Sequence, residues 1–213
     1  PYRRQRQMCI RDRAYSIGML VQLFISGMNS ALTPWMYSKI KKGDIRSMRK
    51  VLQLLSVVVV GIAVALMLIS PELVLIFGSP KYREAVYVIP PVAASVFFIF
   101  IYNILSMPQF YYEKTQFLMA ASMAAAGANV VLNFIFIRLF GYIAAGYTTL
   151  ACYMLYSVGH YIVSKRILVN EGIQENLMSP GFLVACSVFL IGASIICNLI
   201  FPYRICLLYT SPS

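Results

Sequence analysis

Long apolar runs separated by short charged segments make up the chain from Ala14 to Phe201. Each run is about 20 residues long, the length that a helix rising about 1.5 Å per residue needs to cross a hydrocarbon core of roughly 30 Å. The pattern predicts an all-α protein, a polytopic membrane helical bundle that occupies residues 14–204. About six transmembrane helices are expected, at residues 14–37, 51–70, 86–107, 117–139, 142–164 and 182–201.

The fourth and fifth runs meet at a Gly141 corner, and they predict a transmembrane hairpin around which the rest of the chain is organised. Asn129 and Asn133 are one helical turn apart and share a face, which is expected to look inward because lipid would leave their amides without partners. In the fifth run Gly141, Ala145 and Thr149 recur at every fourth position. These small residues predict the close approach of another helix backbone.

Composition supports a membrane environment, since 60% of the residues are hydrophobic and only 12% are charged. An ordinary soluble domain carries about 25% charged residues. The formal net charge of +11 does not indicate a nucleic-acid partner, because the basic residues cluster beside the spans, where they act as topology signals.

The strongest of these signals is KIKKGDIRSMRK at residues 39–50, where Asp44 is the only acid among six cations. It predicts a cytoplasmic loop, and alternation of the spans then places loops 108–116 and 165–181 on the same side. A basic surface that recruits an anionic lipid head group or a partner is the alternative interpretation. The segment PELVLIFGSPKYREA, residues 71–85, is too short and mixed to span and predicts an interfacial helix.

The two ends differ from the middle of the chain in composition. Residues 1–13, PYRRQRQMCIRDR, and the tail 205–213 look like translated sequencing-adapter sequence and are predicted to be non-native. A polybasic juxtamembrane arm is the alternative for residues 1–13. Helix parity would place that arm opposite the basic 39–50 loop, which favours the non-native interpretation and predicts that the chain is a fragment.

Motifs for catalysis are not found: the sequence has no Walker A loop, GxSxG elbow, HExxH pair or paired acids within a span. No enzyme activity, catalytic residue, metal or cofactor is expected. No charged residue lies near the midpoint of a predicted span, so a buried ion-coupling carboxylate is not expected in this chain. His160, the only histidine, lies near the predicted cytoplasmic boundary and is expected to be a wetted or capped side chain. Inward amides and cations at the rims favour a transporter of polar or anionic solutes.

Five features follow one another in a specific order: SALTPWMYSKIKKGD, LVLIFGSPKYREA, a proline-bearing span, EKT and NVVLNFIFIRLFGYIAAGYTTLACY. This order makes the resemblance to a known family specific. Over nearly all of 14–204 the chain resembles the C-terminal half of polysaccharide flippases, the bacterial O-antigen and capsule translocases of the multidrug/oligosaccharidyl-lipid/polysaccharide exporter superfamily. The resemblance implies one half of a two-bundle transporter in the bacterial inner membrane. It also implies that alternating access moves a polyprenyl-diphosphate-linked oligosaccharide to the outer leaflet from a cationic cavity.

Substrate-binding residues follow as expectations from this resemblance. Four amides are expected to line the cavity and to hydrogen-bond sugar hydroxyls, namely Gln22, Asn103, Asn129 and Asn133. Their alternative role is interhelical amide bonding, worth roughly 0.6 kcal/mol on average. The cations lie at helix ends, so Lys114 and Arg138 are expected to meet the diphosphate from the rims, unless the missing half supplies the cationic lining. Pairing of Lys114 with Glu113 and snorkelling of Arg138 are the alternatives.

Expected partners are the lipid-linked oligosaccharide, membrane lipids and other membrane proteins of polysaccharide assembly. Two other functions stay open. A cation-coupled multidrug exporter of the same superfamily would require an intramembrane acid, and none is visible in these spans. A membrane-embedded glycan polymerase or acyltransferase would require clustered Arg, His or Asp on large outer loops, whereas the predicted outer loops are short.

Overall fold

The computed structural model describes residues 23, 25–77, 86–141 and 143–210. These residues form an all-α bundle, which confirms the predicted fold class. Six helices follow one another: α1 (25–41), α2 (Ile45–Phe77), α3 (Ile89–Tyr111), α4 (Gln116–Phe140), α5 (Ala144–Asn170) and α6 (Pro180–Thr210). Four helical segments are long and apolar enough to cross a membrane, namely Ile45–Glu72, Ile89–Tyr111, Gln116–Phe140 and Pro180–Pro202.

Helix α5 is long but more polar than these four segments, since hydroxyl and imidazole groups lie on its buried side. Thr148, Ser157, His160 and Ser164 are all buried there. A helix enclosed between other helices tolerates such groups because protein partners replace lipid around them.

Helix α2 does not end where the sequence predicts. It continues without a break through Pro71 to Phe77, so residues 71–77 belong to α2 rather than to a separate interfacial helix. Proline at position 71 cannot donate to the carbonyl of Met67, four residues earlier. The Ser70 hydroxyl donates to that Met67 carbonyl instead, at 2.7 Å. Residues 78–85 lie outside the described ranges.

The bundle is built around α3, which packs against α2, α5 and α6. Sixteen of its 23 residues are buried. Helix α1 reaches the same helix, because the rings of Tyr37 and Tyr111 meet edge to face at 5.3 Å. The predicted α4–α5 hairpin is present, but α4 has no buried residue, so the prediction that this hairpin organises the chain is wrong. Helix α3 takes the central place because it is apolar on nearly every side.

Helices α2 and α6 each bury a single stripe. The buried residues of α2 recur every three or four positions: Ile45, Met48, Leu52, Ser56, Val59, Ala63, Met67 and Ser70. In α6 the buried positions are Leu190, Ser194, Cys197 and Phe201. The remaining faces are exposed and apolar, which is the surface that a membrane protein presents to lipid.

Three connections meet at one end of the bundle. Arg46 and Arg49 pair with Glu175, joining the α1–α2 corner to the α5–α6 loop, and Lys114 of the α3–α4 loop pairs with Glu171 at 3.0 Å. The structure thus brings together the regions 39–50, 108–116 and 165–181, as alternation of the spans requires. Their cytoplasmic location stays a prediction.

Asp44 caps the start of α2 at this end. Its Oδ1 accepts a hydrogen bond from the Ser47 N–H at 3.2 Å, and its Oδ2 pairs with Lys39. The Lys39 hydrogen bond, and then that from Ser47, hold the pKa of the Asp44 carboxyl below its usual value.

Replacement of Asp44 should lower the thermal stability of the bundle modestly. Asp44→Ala removes both the cap and the ion pair, whereas Asp44→Asn keeps an acceptor for the Ser47 N–H and should fall between Asp44→Ala and wild type. Because the folded-state pKa is lowered, the Asp44 contribution is present above the unfolded-state value of about 3.9 and is lost as the pH falls through the folded-state value. Thermal unfolding in detergent at pH 7 and pH 3 checks both expectations.

Candidate functional site

A chain of hydrogen bonds crosses from α4 to α5. Asn133 Nδ2 donates to Asn129 Oδ1 at 2.8 Å, and the Thr148 hydroxyl of α5 donates to Asn133 Oδ1 at 2.6 Å. Both asparagines lie on the half-buried stripe of α4, the side that faces α5, so they share a face as predicted. We call Asn129, Asn133 and Thr148 the amide chain. Thr148 was missed because the sequence does not distinguish it from Thr149. Both hydroxyls lie within hydrogen-bond distance of the Ala145 carbonyl, and that of Thr148 also reaches Asn133.

The close helix approach on α5 lies at Gly146, one position away from the predicted stripe of Gly141, Ala145 and Thr149. A Cβ at residue 146 would lie 2.8 Å from Pro91 Cγ and 3.1 Å from the Val88 carbonyl oxygen. At Gly141 a Cβ would meet nothing within 4 Å. The backbone of α5 therefore meets the start of α3 at residue 146, whereas Thr149 is only half-buried.

His160 is fully buried, which corrects the prediction of a wetted or capped side chain near the boundary. Its Nδ1 lies 2.7 Å from Nε2 of Gln109 on α3, which is also fully buried. The Gln109 amide nitrogen also lies 3.3 Å from the Leu105 carbonyl and must donate to it. Consequently His160 Nδ1 accepts, and the imidazole is neutral with its proton on Nε2.

Aromatic rings surround this pair at a three-helix junction. The rings of Tyr102 from α3, Phe117 from α4 and Tyr156 from α5 lie 6.0, 5.5 and 4.5 Å from the imidazole. Atoms Gln109 Oε1, His160 Nε2 and Ser164 Oγ are buried and have no hydrogen-bond partner within the described part of the chain. Buried polar atoms without a hydrogen-bond partner lower the stability of the fold. Such a cluster is therefore more typical of a functional site than of residues that only fill the core.

One side of α5 lies between α3 and α4. Both helices pack against α5 and make little contact with each other. Tyr156 touches both sides, since its ring lies 4.7 Å from that of Tyr102 and its hydroxyl lies 2.6 Å from Ser122 Oγ of α4. We call this surface the α5 groove; Tyr102, Tyr153 and Tyr156 line one part of it, and the amide chain crosses it toward the other end of the hairpin.

Five of the six predicted site residues lie within the described ranges, and of these the structure brings Asn129 and Asn133 together. Asn103 lies on α3, where its side-chain nitrogen donates to the Ile99 carbonyl at 2.7 Å. Asn103 nonetheless shares the partly exposed side of α3 with Tyr102. Gln22 lies outside the described residues.

The two predicted cations lie at opposite ends of α4, Lys114 two residues before its start and Arg138 near its end, about 36 Å apart at 1.5 Å per residue. Lys114 pairs with Glu171 rather than with its neighbour Glu113. Arg138 is exposed, and its guanidinium carbon lies 3.9 Å from the centre of the Phe134 ring. The two side chains therefore cannot bind one diphosphate together.

Neutral polar chemistry characterises the middle of the described helices. The acids of the described ranges all lie in loops or at the end of an apolar segment: Asp44, Glu72, Glu113, Glu171 and Glu175. Among the same residues, no three His, Cys, Asp or Glu side chains are grouped to hold a metal ion. Amides, hydroxyls and aromatic faces can bind an uncharged polar molecule, but they offer no general acid and base pair.

Long apolar helices make this chain a multi-pass membrane protein. A model of the MatE family matches residues 12–135, more than half of the chain. The chain belongs to the MatE family, and so it is a membrane transporter of the multidrug/oligosaccharidyl-lipid/polysaccharide exporter superfamily. The superfamily expected from the resemblance is confirmed. No curated protein and no solved structure matches the chain.

The matched range contains α1 to α3 and most of α4, together with Tyr102, Asn103, Lys114, Asn129 and Asn133. Helices α5 and α6 lie beyond it. Members of the family are transporters rather than enzymes, in keeping with the neutral polar character of the α5 groove.

Proposed function

We propose that the chain is part of a flippase that moves polyprenyl-diphosphate-linked oligosaccharide from the inner to the outer leaflet of the bacterial inner membrane by alternating access. The product would feed the synthesis of O-antigen, capsule or exopolysaccharide. The ends joined by the Lys114–Glu171 and Arg46–Glu175 pairs face the cytoplasm in this proposal. Membrane lipids and other membrane proteins of polysaccharide assembly are the further partners.

One observation carries the proposal: the polar groups along the middle of the helices are neutral amides and hydroxyls, whereas four of the five described acids lie in loops and the fifth, Glu72, lies in the last two turns of α2. An oligosaccharide is rich in hydroxyls, which exchange hydrogen bonds readily with amide groups because an amide both donates and accepts. A hydrophobic cation would instead favour a carboxylate within the helices. The amide chain supplies such groups at 2.6 and 2.8 Å spacings, already ordered for exchange with a ligand.

The two cations of α4 fit a substrate that changes leaflet. Lys114 and Arg138 are separated by about the thickness of a hydrocarbon core. In the proposal Lys114 receives the diphosphate at the entry side, where phosphate competes with Glu171 for the ammonium group, and Arg138 meets it at the exit side. Both side chains are accessible: 47% of the Lys114 side chain is exposed, and Arg138 is also exposed.

A cation-coupled multidrug exporter of the same superfamily is the second candidate. The tyrosines of the α5 groove favour it, because aromatic faces attract hydrophobic cations within about 6 Å of a ring centre. This candidate predicts resistance to cationic drugs and no effect on polysaccharide.

Complementation of a flippase-null bacterial strain tests the function. Expression of the gene that encodes this chain should restore surface polysaccharide. Asn133→Leu should lower the rescue about fivefold, because it removes one hydrogen bond to the sugar, worth about 1 kcal/mol. Ser187→Ala on α6 is the control, because the hydrogen bond of Ser187 within the described residues runs to the carbonyl of Leu183 in its own helix. If the chain did not restore polysaccharide but conferred drug resistance, the flippase function would be overturned in favour of the multidrug exporter.

A further inference from the structure

Three tyrosines lie in the middle of their helices rather than at the ends. Tyr102 comes thirteen residues after the start of α3 and nine before its end, about 20 and 14 Å along the axis. Tyr153 and Tyr156 come nine and twelve residues after the start of α5. Tyrosine in membrane proteins concentrates at the two interfaces, where its hydroxyl reaches water. We call Tyr102, Tyr153 and Tyr156 the tyrosine surface.

The rings of the tyrosine surface adjoin one another and keep part of their area open. Tyr102 and Tyr153 are parallel to within 5°, with ring centres 6.1 Å apart, and Tyr156 is tilted by 60° against Tyr102 at 4.7 Å. All three side chains are only partly buried. Packing between α3 and α5 therefore leaves aromatic surface that faces the α5 groove.

Helix α3 uses a different aromatic residue where packing alone matters. Phe97, Phe98 and Phe100 are at most 5% exposed and face the interior of the bundle. Position 102, on the partly exposed side of the helix next to Asn103, holds a tyrosine rather than a phenylalanine. A hydroxyl group at mid-helix is unfavourable beside lipid, and the Asn103 side chain gives the Tyr102 hydroxyl a hydrogen-bond partner. The Tyr102–Asn103 pair thus presents polar groups beside the rings to a polar partner in the groove.

Polar groups that suit such a partner border the rings. The Asn103 side-chain nitrogen donates one of its two hydrogens to the Ile99 carbonyl, the same side chain bonds the Tyr102 hydroxyl, and its oxygen is an acceptor. Ser122 and Tyr156 share one hydrogen bond at 2.6 Å and retain further capacity. Flat aromatic faces ringed by donors and acceptors match a molecule with C–H bonds on its face and hydroxyls around its edge.

We propose that the tyrosine surface is a sugar-binding subsite in which a pyranose ring of the transported oligosaccharide stacks on Tyr102 and Tyr153. The Asn103 oxygen and the Ser122–Tyr156 hydroxyls accept and donate to the sugar hydroxyls. This subsite rests on the proposed flippase function and names the part of the substrate that the α5 groove recognises. The lipid and the diphosphate contribute nothing to it.

Binding to the purified chain tests the subsite, in a detergent without a sugar head group. The probes are farnesyl-diphosphate-linked N-acetylglucosamine, farnesyl diphosphate without the sugar, and tetraphenylphosphonium. Tyr102→Leu and Tyr153→Leu keep apolar bulk but remove the ring, and each should weaken binding of the sugar-bearing probe about tenfold, on the scale of one aromatic contact. Farnesyl diphosphate should bind unchanged, and Tyr102→Phe should retain most of the affinity. Tyr161→Leu, another partly buried tyrosine of α5, is the matched control and should leave the affinity unchanged.

Saturation-transfer NMR on the wild-type chain keeps the test decisive if a leucine variant does not fold. Irradiation of the tyrosine ring protons should attenuate the ring protons of the sugar, and absence of that transfer overturns the subsite. Equal affinity of the leucine variants and the wild type for the sugar-bearing probe overturns the subsite. The flippase function is then still decided by the complementation experiment. Loss of farnesyl diphosphate binding in parallel also overturns it, because the rings would then contact the lipid part. Weakened binding of tetraphenylphosphonium, without binding of the sugar probe, overturns both the subsite and the flippase.

Discussion

Gly146→Ala should destabilise the bundle by about 1–3 kcal/mol, the usual cost of forcing one extra carbon into a packed interior. The new Cβ would lie 2.8 Å from Pro91 Cγ and 3.1 Å from the Val88 carbonyl oxygen. A proline ring and a backbone carbonyl are both rigid, so neither can rotate away as the end of a long side chain would. Gly146→Val should cost more, because its branched side chain adds two further carbons at the same contact.

Two glycines provide matched controls within helices of the same bundle. Gly127 of α4 and Gly192 of α6 have nothing within 4 Å of an added Cβ. Alanine there should be neutral or stabilising by up to about 1 kcal/mol, since alanine has the higher helix propensity. Equal thermal midpoints for Gly146→Ala and Gly127→Ala would show that the α3–α5 contact at residue 146 is not tight.

Thiol labelling during heating measures these midpoints. Cys152 and Cys197 take part in no disulfide bond among the described residues and are buried, each with 7% of its surface exposed, so they react only as the bundle opens. The assay uses a background in which serine replaces Cys9, Cys186 and Cys206, whose thiols would add signal from outside the buried set.

His160→Ala should be among the most damaging single substitutions, at about 3–5 kcal/mol, as for other large ring side chains truncated in a core. It opens a cavity among Tyr102, Phe117 and Tyr156 and removes the hydrogen bond to Gln109. The single change Gln109→Leu should cost about 1–3 kcal/mol, because both imidazole nitrogens of His160 would then be buried without a partner.

A double substitution separates the hydrogen bond from the packing. His160→Phe combined with Gln109→Leu replaces both polar side chains by apolar ones of similar size, which is often nearly neutral. The double variant should therefore be more stable than Gln109→Leu alone, measured by the same thiol labelling. Additive losses in the double variant would contradict a coupled His160–Gln109 pair.

The sequence predicts the helices better than it predicts their arrangement. Run length and apolar content are local properties, so α4 and α5 with the Gly141 corner could be placed within a few residues. Which helix becomes central depends on packing between distant segments. Helix α3 reads as one more apolar run, and only contact with α2, α5 and α6 distinguishes it.

The burial of a side chain is hardest to predict from the sequence where two different environments would suit the residue. His160 lies near the predicted boundary of a span, yet Gln109, 51 positions earlier, gives it a buried partner. That partner cannot be identified without the α3–α5 register. The amides at 129 and 133 were easier, because a spacing of four places them on one helix face whatever lies opposite.

The site was only partly accessible to the same reasoning. Lys114 and Arg138 could be named from charge, but their position at opposite ends of one helix argues against a shared anion site. The tyrosines at 102, 153 and 156 could have been noticed, since their positions far from the predicted interfaces are visible in the sequence. Thr148 and Gly146 could not, because their partners lie on other helices.

The central position of α3 sets a minimum size for a segment that folds independently. The family match stops at residue 135, but α3 is enclosed in part by α5 and α6, which follow that point. A chain cut at the end of the match would keep the α2 contacts of α3 but lose those that α5 and α6 make with it. The matched sequence region and the packed bundle therefore have different boundaries, so α3 depends on the last two helices for part of its cover.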